Sequence, residues 1–206
     1  MAVTEREQLI FDIASMEWDL FQQVQNTGGR ASCQDDPDTF FKMRMSQWMV
    51  YSDAVLESYK EDILNAAKAG RNLVFEKYGR MMETTFPEEF EQIKPFLPEI
   101  SAHQCDRIKE LAAIHVEWDR WMLKHYPNIR KNGRVMTTRE DNFYDGSSSE
   151  SYLRGEMMTY SEKTVELIFK ETKEAYEKGV NLLKQIIENE TAFYGYKSLE
   201  DAEAAH

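Results

Sequence analysis

The chain has 206 residues, of which 42% are hydrophobic and 12% aromatic, and its 37 Asp and Glu against 25 Lys and Arg give a formal net charge of −12. That acidity excludes a nucleic-acid or anionic-membrane surface as the main partner, because both need a positive face. The aromatic content excludes a disordered chain, which could not repay its conformational entropy.

Helical signals dominate from the start. Thr4-Glu5-Arg6-Glu7 has capping-box spacing, and Leu9, Ile10, Ile13, Leu20, Phe21 and Val24 recur at helical intervals. A helix is therefore predicted over 5–25, breaking at Asn26-Thr27-Gly28-Gly29. Asp36 as N-cap and Pro37 at the first helical position open a second stretch, with Phe41, Trp48, Tyr51, Val55 and Tyr59 on one stripe. It runs to about Gly70, with a candidate break around Ser52-Asp53. A third helix is predicted over 73–83, after which Pro87, Pro95 and Pro98 chop the chain into short pieces. Ser101 caps a helix that reaches Tyr126-Pro127.

Residues 127–148 contain Gly133, Gly146 and the polar run from Thr137 to Asn142, without a helical stripe. A connection of that length in a compact domain is functional or disordered. Helical spacing resumes at Ser149 and continues to Gly179, returns over 180–193, and ends in a short helix opened by Ser198. No alternating strand pattern occurs. The expected fold is all-α: one domain over 1–206, a bundle of about seven to nine helices.

Two related helical halves, 5–83 and 101–193, are a further expectation. Met16-Glu17-Trp18-Asp19 is echoed by Val116-Glu117-Trp118-Asp119, Ser58-Tyr59 by Thr159-Tyr160, and Gly70-Arg71-Asn72-Leu73 by Gly179-Val180-Asn181-Leu182. Equivalent helices would then meet about a pseudo-twofold axis, with Glu17 and Glu117 placed symmetrically.

The early residues turn charged at once and nothing approaches 18 consecutive apolar residues, so a cytoplasmic protein with no membrane span is expected. Cys33 and Cys105 lack zinc-site spacing and read as reduced thiols. Paired Glu-x-x-His motifs of di-metal bundles are missing, and His115 falls on the Leu111, Trp118, Met122 stripe as a core histidine. A carboxylate-only centre of Glu17 and Glu117, or a cation at Asp35-Asp36-Pro37-Asp38, are the metal alternatives weighed; no metal site is assigned and the cofactor is unknown.

A polar residue where the helical period demands an apolar one carries the information. Glu17, four after Ile13 and three before Leu20, is such a residue, and burial obliges it to find a partner or change its pKa. Arg44, between Phe41 and Trp48, needs a carboxylate or an anionic ligand. A Glu17–Arg44 pair and a ligand-binding or catalytic cluster both satisfy these needs. Arg30 to Asp36 form a polar loop before a helix N-terminus, where an anion can be held and the Cys33 thiol activated, although Asp35 and Asp36 oppose the latter. Arg80 in Glu76-Lys77-Tyr78-Gly79-Arg80 and Arg154 and Glu156 in Tyr152-Leu153-Arg154-Gly155-Glu156 are further candidates, with salt-bridged helix faces as the plain alternative. Tyr160, a turn after Glu156, is a candidate proton donor.

Glu17-Trp18, Gly28 through Asp36, Gly70-Arg71-Asn72-Leu73, Glu76 through Met82, Tyr152 through Glu156, and Tyr194-Gly195-Tyr196 with Ser198-Leu199-Glu200 together resemble the bacterial family of domain of unknown function 4125. The resemblance covers nearly the whole chain in order. It implies an intracellular bacterial protein with no assigned activity, in a family that sometimes accompanies a nucleotidyltransferase-like domain.

Two functions are expected on these grounds. In the first, a helical domain binds a small carboxylate- or phosphate-bearing ligand through Arg30, Cys33, Arg44, Arg80, Arg154 and Glu156, with Glu17 and Tyr160 as acid–base residues. In the second, a non-catalytic domain docks a protein partner such as a nucleotidyltransferase-like domain through its acidic surface and the 127–148 segment.

Overall fold

Thr4 starts the fold as its spacing predicts. In the computed structural model, which describes residues 3–25, 29–131, 133–141 and 146–205, the Glu7 amide donates to the Thr4 hydroxyl at 3.2 Å and the Thr4 amide to the Glu7 carboxylate at 2.8 Å. Helix α1 (Glu5–Gln22) follows and buries Ile10, Ile13, Ala14, Glu17, Leu20 and Phe21 on one stripe. The break expected at Asn26, Thr27 and Gly28, the Asn142 end of the polar run and the terminal His206 lie outside the described residues.

Eleven α-helices occur among the described residues, and no strand. They are α1, α2 (Pro37–Trp48), α3 (Asp53–Lys68), α4 (Leu73–Thr85), α5 (Pro87–Ile93), α6 (Ala102–His125), α7 (Pro127–Arg130), α8 (Ser149–Met157), α9 (Glu162–Glu177), α10 (Leu182–Phe193) and α11 (Leu199–Ala205). The count exceeds seven to nine for local reasons. Pro87 and Pro127 each sit at the first position of a short helix of their own, where their missing N–H costs nothing. The stretch from Ser149 to Gly179 is two helices, because the chain turns at Met158–Tyr160 and Ser161 caps α9 through the Thr164 amide at 3.2 Å. The 127–148 segment carries α7 and a 3-10 turn over Thr138–Glu140.

The turn joining α3 to α4 and the turn joining α9 to α10 are built alike. Gly70 and Gly179 both have φ of 70°, the left-handed region where only glycine is unstrained. The next amide reaches back to the helix in each, Arg71 to Ala66 at 2.9 Å and Val180 to Ala175 at 2.8 Å. Asn72 then caps α4 through the Phe75 amide and Asn181 caps α10 through the Lys184 amide, both at 2.9 Å. The Asn72 amide also donates to Leu20 of α1, and that of Asn181 to Trp118 of α6. Packing follows the same plan: α1 lies against α2, α3 and α4, α6 against α8, α9 and α10, α4 meets α8 as α10 meets α2, and α3 packs on α9.

The register differs from the one the tetrads imply. Ser58 and Tyr59 lie inside α3, whereas Thr159 and Tyr160 form the turn before α9. Glu17 is 2% exposed, but Glu117 lies on the exposed side of α6 and accepts from the Tyr176 hydroxyl at 2.6 Å, so the two are not symmetrically placed. Trp48, Ile13, Leu56, Ile108, Leu111, Met122, Met157 and Ile168 form the most deeply buried part of the core. Each such side chain contributes roughly 1.5–3 kcal/mol by leaving water.

Candidate functional site

Helices α1, α2 and α8 meet on a charge. Arg44 of α2 is 7% exposed and spends all five of its N–H donors on protein acceptors. Nε donates to Glu17 at 2.8 Å, and Nη2 to Glu17 and, at 2.8 Å, to Glu156. Nη1 donates to Gln47 at 2.8 Å and to Glu156 at 3.3 Å. Each carboxylate is bound further: Glu17 accepts from Trp48 Nε1 at 3.2 Å and the Tyr59 hydroxyl at 2.9 Å, and Glu156 from Gln47 at 3.3 Å and the Tyr160 hydroxyl at 2.6 Å.

Lys77 of α4 brings a second buried cation, its Nζ 3.6 Å from Glu156. Gly155 permits this approach, because a Cβ there would stand 2.8 Å from Met81 Cγ and 3.1 Å from the Lys77 carbonyl oxygen. The energetic signs follow from these neighbours. Burial pushes the Glu156 pKa up, but Arg44 and Lys77 overcome it and hold the carboxyl at about 2. Burial opposes charge on Arg44 and Lys77 too, yet the facing carboxylates, and Tyr152 beside Lys77, keep both firmly protonated. Burial in the company of carboxylates raises Tyr59 and Tyr160 well above the ordinary phenol value, so both stay neutral donors.

This cluster forms one wall of a cavity of about 200 Å³. Glu17, Phe21, Tyr59, Leu73, Val74 and Thr159 are its buried side; Cys33, Asp36, Met43 and Arg134 are exposed at its mouth. Between them stands Tyr152, whose hydroxyl takes a hydrogen bond from Lys77 Nζ at 2.8 Å and whose ring centroid lies 4.3 Å from that Nζ and 4.9 Å from the Arg134 guanidinium. Arg134 donates to the Ser147 carbonyl at 3.1 Å and has no carboxylate partner among the described residues.

The predicted residues divide accordingly. Glu17, Arg44, Glu156 and Cys33 line the cavity, and Tyr160 stands behind its wall. Arg30, Arg80 and Arg154 do not enter it. Arg30 closes its own loop on Asp35 at 2.8 Å and the Gln34 carbonyl at 2.7 Å. Arg80 donates to the Pro98 carbonyl at 2.6 Å, and Arg154 lies 3.9 Å from Glu150. Lys77, Arg134 and Tyr152 are among the cavity groups that the sequence reading does not select. Lys77 carries a usable signal, since it follows Leu73 by one helical turn and precedes Met81 by another on the buried stripe of α4.

Among the described residues no three His, Cys, Asp or Glu converge as a metal ion requires. The acidic Asp36 and Asp38 serve instead as helix cap and as partner of Lys42.

Fold and site together define an α-helical protein whose cavity is walled by a buried Glu–Arg–Glu cluster and opened by a Lys–Tyr–Arg stack. The chain belongs to the family described as protein of unknown function (DUF4125), whose model it matches over residues 7–204. No curated protein and no solved structure matches it.

Proposed function

We propose that this protein, a single helical bundle, binds a small anionic ligand in the cavity, with Lys77 and Arg134 as the groups that hold the charge. The observation that carries this reading is Arg134, a guanidinium beside the cavity that, among the described residues, binds a carbonyl and no carboxylate. Lys77 stands on the same Tyr152 ring and has donors beyond the one Tyr152 takes. Arg44 has none left, so its part is to fix the wall. Glu17, with four donors on one carboxylate, and Tyr160, bound to Glu156, keep Arg44 and Glu156 in place in this reading and take no proton from a ligand. Cys33 and Cys105 are free thiols, which suits a reducing compartment, and we place the protein in the bacterial cytoplasm. No helix of the described residues is long and apolar enough to cross a membrane.

The test is thermal unfolding with a panel of small carboxylates and phosphates. An anion that raises the wild-type Tm by several degrees and leaves Arg134→Ala unmoved supports the proposal. Arg134 is exposed, so the variant folds with an unchanged Tm of its own. A panel without effect on the wild type overturns it.

A further inference from the structure

Resting on that reading, we infer that the ligand is a monocarboxylate with an apolar, ring-sized body, bound carboxylate outward to Lys77 and Arg134. Charge sets the first limit. Arg44, Lys77 and Arg134 in the lining are equal in number to Glu17, Asp36 and Glu156, so the lining holds no surplus of positive charge and the cost of a ligand grows with each negative charge it brings. One such charge can be shared by Lys77 and Arg134. A phosphate dianion would bring two, close to Glu156, in a partly closed site where screening is weak.

Backbone chemistry points the same way. Phosphate sites draw on rows of free backbone N–H groups at a helix start or glycine-rich loop. The helix start at this mouth is that of α2, and Asp36 already occupies its first turn by accepting the Thr39 amide at 3.1 Å. The charged donors left are those of Lys77 and Arg134, which suit the two oxygens of a carboxylate.

Size and wall chemistry describe the remainder of the ligand. A cavity of about 200 Å³ lies below the roughly 300–1,000 Å³ that drug-sized ligands fill, which rules out a nucleotide and admits a single ring. Phe21, Phe40, Met43, Leu73 and Val74 line it. Phe21 and Phe40 stack with centroids 5.5 Å apart and planes at 12°, offering a rigid face to a planar or branched apolar group. The carboxylates on the buried side are saturated by their own donors, so nothing there calls for a polar ligand end.

Titration calorimetry on the intact chain separates these claims, with phenylacetate, acetate, 2-phenylethanol, phenyl phosphate and inorganic phosphate as probes. Phenylacetate is expected to bind at least tenfold more tightly than acetate, 2-phenylethanol or either phosphate. It is expected to lose at least tenfold in Arg134→Ala and in Met43→Asp, two exposed positions whose substitution leaves the unliganded Tm unchanged. In Cys105→Ser protein it should slow alkylation of Cys33, at the mouth, at least tenfold. Tighter binding of phenyl phosphate or inorganic phosphate overturns the monocarboxylate and leaves the anion site standing. Binding of phenylacetate without loss in Met43→Asp, or without protection of Cys33, overturns the placement. If none of the anions binds, both this inference and the anion-binding reading fall.

Discussion

Asp62 and Glu171 make the same exchange from opposite sides of the α3–α9 contact. Asp62 of α3 accepts the Ser161 amide, which opens α9, at 2.9 Å, and Glu171 of α9 accepts the Ser52 amide, which opens α3, at 3.0 Å. Each helix thus supplies a negative charge to the positive end of the other. Asp62→Asn and Glu171→Gln should each lower stability by about 1 kcal/mol, the usual value of an N-terminal cap. Urea unfolding of the two variants and of their combination measures this. Unequal losses, one near zero, would show that only one of the caps stabilises the pair.

Arg44 is the group whose loss costs most at the site. Replacing it by Met leaves Glu17 and Glu156 facing each other without their shared cation, inside the fold. Removing one member of a buried pair costs about 3–5 kcal/mol, because the remaining charge stays unsolvated. Arg44→Met should lower the urea midpoint accordingly. The double variant Glu17→Gln, Arg44→Met should recover part of the loss, since the charges that remain buried, Glu156 and Lys77, then cancel. A single variant as stable as wild type would mean that water reaches the cluster.

Half of this cluster is legible in the sequence. Glu17 between Ile13 and Leu20, and Arg44 between Phe41 and Trp48, are charges on apolar stripes, and helical periodicity alone places both inward. Glu156 sits equally deep, but its partners come from α2 and α4, and periodicity within one helix says nothing of which helix faces it. Lys77 bears the same signal as Glu17, obscured by the charged and aromatic residues around it. Arg134 lies in a segment without a period, so nothing local tells which way it points. The fold divides in the same way: the capped starts at Thr4, Asp36 and Ser101 are read directly, whereas the turn at Met158–Tyr160 interrupts a stripe that the spacing alone continues.

His115 of α6 makes stability depend on pH. Its ring packs on Trp118 at 5.1 Å, Nε2 has no hydrogen-bond partner, and burial lowers its pKa to about 4 from the usual 6.5. Between those values the unfolded chain holds a proton that the folded chain refuses. Stability from this group is therefore full above pH 6.5, falls as the pH drops towards 4, and changes no further below it. The full loss is about 3 kcal/mol, at about 1.4 per pKa unit. His115→Gln should flatten the curve over that window, measured by urea midpoints at a series of pH values. Glu156 adds a separate loss lower down, from the ordinary carboxylate range towards 2, as protonation breaks its pairing.

Gly155 holds α8 against α4 at the point where Glu156 meets Lys77. It lies within α8, where exchange for Ala would gain about 1 kcal/mol on helix propensity alone. The added Cβ would stand 2.8 Å from Met81 Cγ and 3.1 Å from the Lys77 carbonyl oxygen, one neighbour a side chain that can turn and the other a backbone atom that cannot. Crowding of this kind costs about 1–3 kcal/mol in a packed interior. Gly155→Ala is therefore expected to be net destabilising by up to about 2 kcal/mol, and the wider helix spacing draws Lys77 from Glu156. An anion held by Lys77 should bind more weakly in this variant by a larger factor than in Arg80→Ala, whose side chain lies outside the cavity. Unfolding and titration on the two variants test both parts; a Gly155→Ala protein more stable than wild type would show that α4 and α8 have room to part without cost.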